Sequence, residues 1–173
     1  MLSQAGISAC TRGVAVLDTP PPCAHDESMA RDGAQRVVGW MRGEAVKIIL
    51  TSVFVDDQEK ARQFYTEKLG FVVKSDYPVG RFRWLTLVSP EGHDDVELLL
   101  EPNDNHVAKV YQRGIYEQGI AAATFGVDDV RREYERLKGR GVHFTMEPTV
   151  MGDATIAVLD DTCGNLIQIA GSA

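Results

Sequence analysis

The side chains able to do chemistry are few and scattered. Cys10, Cys23 and Cys163 form an odd set without a C-x-x-C pair, so neither a zinc site nor a disulfide frame is implied, and they read as reduced thiols. His25 falls in an N-terminal segment, His93 in a turn, His106 in a connector and His143 at a strand start, with no metal-ligand spacing among them. Cys163 precedes Gly164 and has no histidine near it in sequence to take its proton, so it reads as a turn residue rather than a nucleophile. Two strand-like stretches carry more. In "RFRWLTLV", Arg81 and Arg83 alternate with Phe82 and Trp84, so one pair faces each side of a strand. Trp84 is then either core packing or a platform for a flat ligand. In "VELLLEP", Glu97 opens an apolar strand in which a buried carboxylate would need a partner. The neighbouring acidic run His93–Glu97 reads as a solvated turn.

The elements that must position these residues follow from periodicity. "VKIILTSVFV" is an apolar, β-branched run ending at the cap pair Asp56-Asp57. After it, Ala61, Phe64, Tyr65 and Leu69 recur at three- and four-residue steps among polar residues, and Gly70 closes the helix. Three strands are expected at Phe71–Ser75, Arg83–Ser89 and Val96–Glu101, separated by "YPVG" and "PEGHDD". The unit is β-α-β-β-β, and it recurs. Val55-Asp56-Asp57 falls on Val127-Asp128-Asp129 at an offset of 72, Gly70 on Gly141 at 71, and "VHFTM", "DATIAVLDD" and "NLIQIAG" follow as three more strands. Val107, Val110, Tyr111 and Ile115 suggest a short connecting helix between modules of about 46–101 and 119–171.

With 173 residues, 44% hydrophobic and 25% charged, the chain is sized for one well-cored domain, expected over 45–173. Residues 1–44, with Pro20-Pro21-Pro22 and no sustained period, are expected to be a flexible tail, although "SMARDGAQRVVGWM" has the pattern of a short amphipathic helix and Met41 would serve as an alternative start. A formal charge of −7 disfavours nucleic acid and anionic lipid, no apolar run approaches a membrane span, and the start lacks a secretory pattern, so a cytoplasmic location is expected.

The strings "VDDQEKARQFYTEKLGF", "RFRWLTLVSPEG", "VELLLEP" and "VLDDTCGNLIQI" together resemble the glyoxalase, bleomycin-resistance and extradiol-dioxygenase superfamily over roughly Val46 to Ala170. That resemblance implies an α+β fold in which two β-α-β-β-β modules form a cupped mixed sheet, with a metal held by one ligand on the first and last strand of each module. Carried over residue by residue, the four ligand positions fall on Leu50, Glu97, Ala122 and Gln168. Leu and Ala offer no donor, and one carboxylate with one amide is short of the three or four donors a divalent ion takes, so no metal and no cofactor is expected unless water and substrate complete the shell.

Two readings follow from this resemblance. In one, the protein binds a small apolar or aromatic molecule in a metal-free cup lined by Leu50, Arg83, Trp84, Glu97, Ala122 and Gln168, usually as a homodimer, with Arg83 or Arg81 partnering Glu97. In the other it is a glyoxalase-like lyase or isomerase, or a dioxygenase-like enzyme, with Glu97 as catalytic base. Met146, Met151 and Tyr111 are candidates for a mobile rim.

Overall fold

The computed structural model describes residues 46–92 and 95–173; the expected tail over 1–44, with its helix and its alternative start, and the turn residue His93 lie outside them. Two four-stranded mixed sheets are present, each the product of one module. The first runs β1 (Leu50–Val55), α1 (Gln58–Gln63), β2 (Val72–Val79), β3 (Phe82–Val88) and β4 (Glu97–Pro102), in the sheet order β1-β4-β3-β2. After the connecting helix α2 (His106–Glu117), the second runs β5 (Ala121–Gly126), α3 (Val130–Gly139), β6 (Phe144–Met151), β7 (Ala154–Asp160) and β8 (Leu166–Ser172), in the order β5-β8-β7-β6. In both sheets the first and last strands of the module are parallel and the remaining pairs antiparallel. Among the described residues no helix is long and apolar enough to cross a membrane.

The helices begin where the aspartates stop the strands. Asp57 accepts from the backbone N–H groups of Glu59 and Lys60, and Asp129 from that of Arg132. Each thus satisfies N–H groups that a helix start leaves without partners. Beyond Gln63 the first helix widens into a π-helical segment, Phe64–Leu69, which Gly70 ends in the left-handed conformation at φ 87°. Phe64 and Tyr65, on the stripe that the three- and four-residue steps from Ala61 predict, are both in the core.

Pro78, in the expected turn "YPVG", does not end its strand, and neither does Pro148. They lie in β2 and β6, the edge strands, where a missing N–H costs no ladder bond. The turns sit instead at Gly80 and Gly152, both at positive φ.

One face of each sheet joins a single core. Val53, Val55, Leu85, Leu87, Leu98 and Leu100 of the first module cluster with Ala157, Leu159, Ile167 and Ile169 of the second around Tyr65, Val130 and Leu137. Because alternate strand residues point to opposite faces, the other set in each sheet is turned away from this shared core. The two concave faces therefore look outward from the chain rather than at one another.

The seam between the modules is polar. Asp161, fully buried in the β7–β8 turn, accepts from the Tyr65 hydroxyl at 3.0 Å, the N–H groups of Cys163 and Asn165 at 2.7 and 2.9 Å, and the Asn165 amide at 2.7 Å. Burial pushes its carboxyl pKa up against these donors, and burial with the facing Asp161 pushes the Tyr65 phenol well up. The Gln112 amide donates to the Phe54 carbonyl at 2.7 Å, the Cys163 carbonyl at 3.0 Å and Asn165 Oδ1 at 3.0 Å, while Asn165 Nδ2 also reaches the Phe54 carbonyl at 2.8 Å. Gly164, at φ 96°, lies so close that a Cβ there would meet Gln112 Nε2 at 2.8 Å.

Candidate functional site

On the outward face of the first sheet, Leu50 lies directly opposite Glu97 in the parallel β1–β4 pair. Trp84 and Thr86 share this face, since Leu85 and Leu87 enter the core. Glu97 finds its partner in Lys74, whose Nζ stands 3.0 Å from the carboxylate; the Glu97 side chain is 24% exposed. The sequence had not pointed to Lys74, and β2 is bulged just after it, between Val73 and Ser75. Lys74 takes the concave face by alternation from the core-facing Val73, and the extra residue resets the alternation after it, so that Ser75 and Tyr77 share that face. The Thr86 hydroxyl and then Lys74 hold the Glu97 carboxyl below the usual carboxylate range. The Lys74 contact is the better defined of the two, since Thr86 Oγ1 is buried without a hydrogen bond of normal geometry.

Arg83 does not join this face. Its side chain lies on the α1 side, bonding Asp76 through Nε at 2.8 Å and Glu59 at 2.7 Å, and Arg81 pairs with Asp104. The expected Arg83 or Arg81 partnership with Glu97 is therefore replaced by the Lys74 pair, and the reason is strand parity. Leu85 is in the core, so Arg83 two residues earlier shares that side, and Trp84 takes the other.

The arginine network carries a pH signature of its own. Arg62 first and Arg83 second hold the Glu59 carboxyl down to about 2 from an ordinary 4.5. Because the folded value lies below the unfolded one, the associated stability is present above about pH 4.5 and is lost as pH falls toward 2. Arg83→Met is expected to flatten the melting-temperature profile across that window, and differential scanning calorimetry from pH 5 to 2.5 checks it. The effect is modest, since the Glu59 side chain is 47% exposed and solvent screens the pair.

In the second sheet the geometry is different. β5 skips a residue at Ala122, between the pairs Ala121–Leu166 and Ala123–Ile167, and Gln168 stands opposite Thr124 rather than Ala122, donating to its hydroxyl at 3.3 Å. The four positions implied by the resemblance are thus one facing pair, Leu50 with Glu97, and two residues out of step, Ala122 and Gln168. A shallow hollow of about 340 Å³ opens near this face, lined by Tyr116, Thr145, Met146, Val158 and Leu166 among others. Tyr116 is fixed by its hydroxyl, which donates 2.7 Å to Asp160. Of the expected rim residues, Met146 lines this hollow, while Met151 and Tyr111 are more than half exposed.

The donor set can be weighed against a divalent ion. Leu50 and Ala122 offer no donor atom, Gln168 offers a weak amide oxygen, and the one carboxylate is already neutralised by Lys74. This does not fit the several anionic or imidazole donors such an ion takes. Among the described residues no three His, Cys, Asp or Glu side chains cluster as ligands. Cys163 lies behind the seam, fully buried, and burial with the nearby Asp161 and Asp56 charges pushes its thiol up to about 12, which leaves no thiolate for nucleophilic attack.

The residues that shape the first concave face and escaped the sequence reading are Lys74, Thr86, Phe54, Leu99, Tyr77 and Glu101. For Glu101 a signal existed: in "ELLLE" two carboxylates four apart in a strand share a face.

Residues 47–169 match the family model of the Glyoxalase/Bleomycin resistance protein/Dioxygenase superfamily. The chain is 61% identical over 124 residues to the protein YurT of Bacillus subtilis (strain 168), a match covering 72% of this chain and 98% of that one. Among solved structures, UcmS2 is 33% identical with a TM-score of 0.65, over 74% of this chain and 99% of that chain. TnmS3, an antibiotic binding protein from Streptomyces sp. CB03234, is 27% identical with a TM-score of 0.59, over 76% and 99%.

Proposed function

Because the chain belongs to the Glyoxalase/Bleomycin resistance protein/Dioxygenase superfamily, we propose that it is a small-molecule-binding member which holds an apolar or aromatic ligand on its concave faces without a metal ion. The observation that carries this reading is the state of the one inward carboxylate at a ligand position. Glu97 is already paired with Lys74, and beside it the face presents Leu50 and Leu99 rather than donors, with Trp84 further along the same face. An apolar lining with a few fixed polar groups suits a bound organic molecule. The likeness to an antibiotic binding protein supports the same class of ligand.

Catalysis with Glu97 as base is the second reading, favoured by the presence of an inward carboxylate. Against it, a carboxylate held below its ordinary range is a weak base near neutral pH, where an efficient general base has a pKa close to the working pH. Glu97→Gln distinguishes the two: ligand affinity stays within a few-fold on the binding reading, whereas turnover disappears on the catalytic one.

The working unit is a homodimer in the cytoplasm. Both concave faces are open in one chain, and Ile48, Ile49, Leu50 and Tyr77 leave apolar surface that a second copy would cover. A sedimentation mass of twice 19.0 kDa is expected, and a monomer at micromolar concentration would count against the arrangement. The charge of −7 gives polyanions such as nucleic acid no attraction.

Metal analysis of the purified protein, with thermal scans in nickel, zinc, manganese and iron(II), tests the metal-free cup. A specific ion stabilises only a folded site, so no stoichiometric metal and no rise in melting temperature are expected. A bound equivalent that is lost in Glu97→Ala would overturn the reading and place the protein with the metalloenzymes of its superfamily.

A further inference from the structure

The connecting helix α2 turns its apolar residues to solvent. Of its 12 residues, Ala108 and Gln112 are the buried ones, whereas Val107, Val110 and Tyr111, whose spacing predicts the helix, are 72%, 58% and 57% exposed. At about 100° per residue, Val107, Tyr111, Gly114 and the C-cap residue Gln118 fall on one stripe, with Val110 and Ile115 along its two borders. Their steps of four, three and four residues are those of the contact line between two packed helices. The charged residues stand apart. Lys109, Arg113 and Glu117 run along the other flank, where Arg113 pairs with Glu117 through Nε at 2.7 Å. The stripe itself carries no charge.

Gly114 lies at the middle of this stripe, and nothing inside the chain calls for a glycine there. Its backbone is helical, and a Cβ at its position would meet no atom within 4 Å. Inside a helix glycine is the least favourable residue short of proline. A local cost without a local reason points to a constraint from outside the chain. A two-fold axis crossing the stripe at right angles, midway along it, brings a second α2 alongside antiparallel. Tyr111 then lies over the partner's Gly114, Val110 against the partner's Ile115 and Val107 against the partner's Gln118. The largest side chain of the stripe meets the open position, and by symmetry it does so twice. Charge favours the same occupant. A chain carrying −7 repels its own copy, so a self-pairing surface has to exclude charge, as this one does. A charged partner would find nothing on the stripe to recognise.

We propose that α2 packs antiparallel against α2 of a second copy through Val107, Val110, Tyr111 and Gly114, with the Tyr111 ring seated over the partner's Gly114. This rests on the homodimer reading above and assigns that dimer an axis and a central contact. Three helical turns, about 18 Å long, bury less than the roughly 1,200 Å² of a stable interface, so the helix pair is one part of the dimer contact rather than the whole of it.

The test uses the full chain with Cys10→Ser and Cys23→Ser, which leaves the buried Cys163 as the one native thiol. In that background Val107→Cys together with Gln118→Cys places thiols face to face across the two-fold. Within one helix these positions are about 16 Å apart and cannot bridge. Mild oxidation is expected to give a covalent species of twice 19.0 kDa that reductant reverses, while Lys109→Cys, on the charged flank, stays uncrosslinked. Gly114→Gln adds bulk without charge and favours the helix. By sedimentation it is expected to raise the dimer dissociation constant at least about tenfold, because it fills the seat of the Tyr111 ring. Unchanged far-ultraviolet circular dichroism excludes a loss of helix. If the parent sediments as a dimer but the 107/118 pair crosslinks no better than Lys109→Cys, or Gly114→Gln leaves dissociation unchanged, the helix pairing falls while the homodimer stands. If the parent is a monomer at micromolar concentration, both fall together.

Discussion

Asp161→Ala is expected to lower the melting temperature by about 10 °C. Four donors converge on this carboxylate: the Tyr65 hydroxyl, two backbone N–H groups and the Asn165 amide. Alanine leaves them buried without an acceptor. Each unsatisfied buried donor costs about 1–3 kcal/mol, and a water entering the vacated space would recover part of that. A net loss of about 3 kcal/mol corresponds to roughly 10 °C for a domain of this size. Asp161→Asn does not rescue, because its amide nitrogen would face donors. Tyr65→Phe removes one donor and is expected to cost about 1 kcal/mol. Differential scanning fluorimetry of the three variants checks the order, and a melting temperature within 2 °C of the parent for Asp161→Ala would mean that the seam does not hold the modules together.

Gly171→Ala is expected to destabilise by about 2–4 kcal/mol despite adding one methyl group. A Cβ at this position would stand 2.5 Å from the Val127 carbonyl oxygen and 3.3 Å from a Val130 methyl. The obstructing atom is backbone, and it cannot swing aside, because Val127 N–H is bonded to the Ala170 carbonyl at 2.9 Å and Val130 begins α3. Relief requires β8 to move away from the β5–α3 corner, with overpacking costs at the upper end of the usual range. Urea unfolding checks the size of the loss. A midpoint equal to that of the parent would show that the corner yields without cost.

Much of this architecture is written in local pattern. The aspartates at 57 and 129 are read as helix caps and prove to be caps, and Gly70 ends its helix in the one backbone conformation that favours glycine. The duplicated module is legible because each of its parts is a short-range signal repeated at a near-constant offset. The concave face was legible only in part. Strand parity turns Glu97 and Trp84 to the concave face, a choice of side the sequence left open for Trp84, and Lys74 stands beside Glu97 where Arg83 or Arg81 was expected. An irregularity at Ala122 moved Gln168 opposite Thr124. Bulges leave no composition signal that distinguishes them from a regular strand. The seam was out of reach for a different reason: Tyr65 and Asp161 are 96 residues apart, and no period connects them. Gln58 likewise reads as an ordinary polar residue in a first helical turn until Arg83 and Leu100 are beside it.

The amides of Gln112 and Asn165 bear on aggregation. In β1 the odd-numbered residues bond to β4, as the Glu97 N–H to Ile49 and Asn103 N–H to Val55 contacts show, so the Phe54 carbonyl points off the unpaired edge of the sheet. Two side-chain amides occupy that carbonyl, at 2.7 and 2.8 Å, and the adjacent Asp56 N–H is taken by the Cys163 carbonyl at 3.3 Å. An apolar edge strand is a template for stray strand addition by other chains. Here the end of that edge is plugged by groups that satisfy its polarity yet cannot propagate a ladder, which protects a β-rich surface during the lifetime of any unassembled copy.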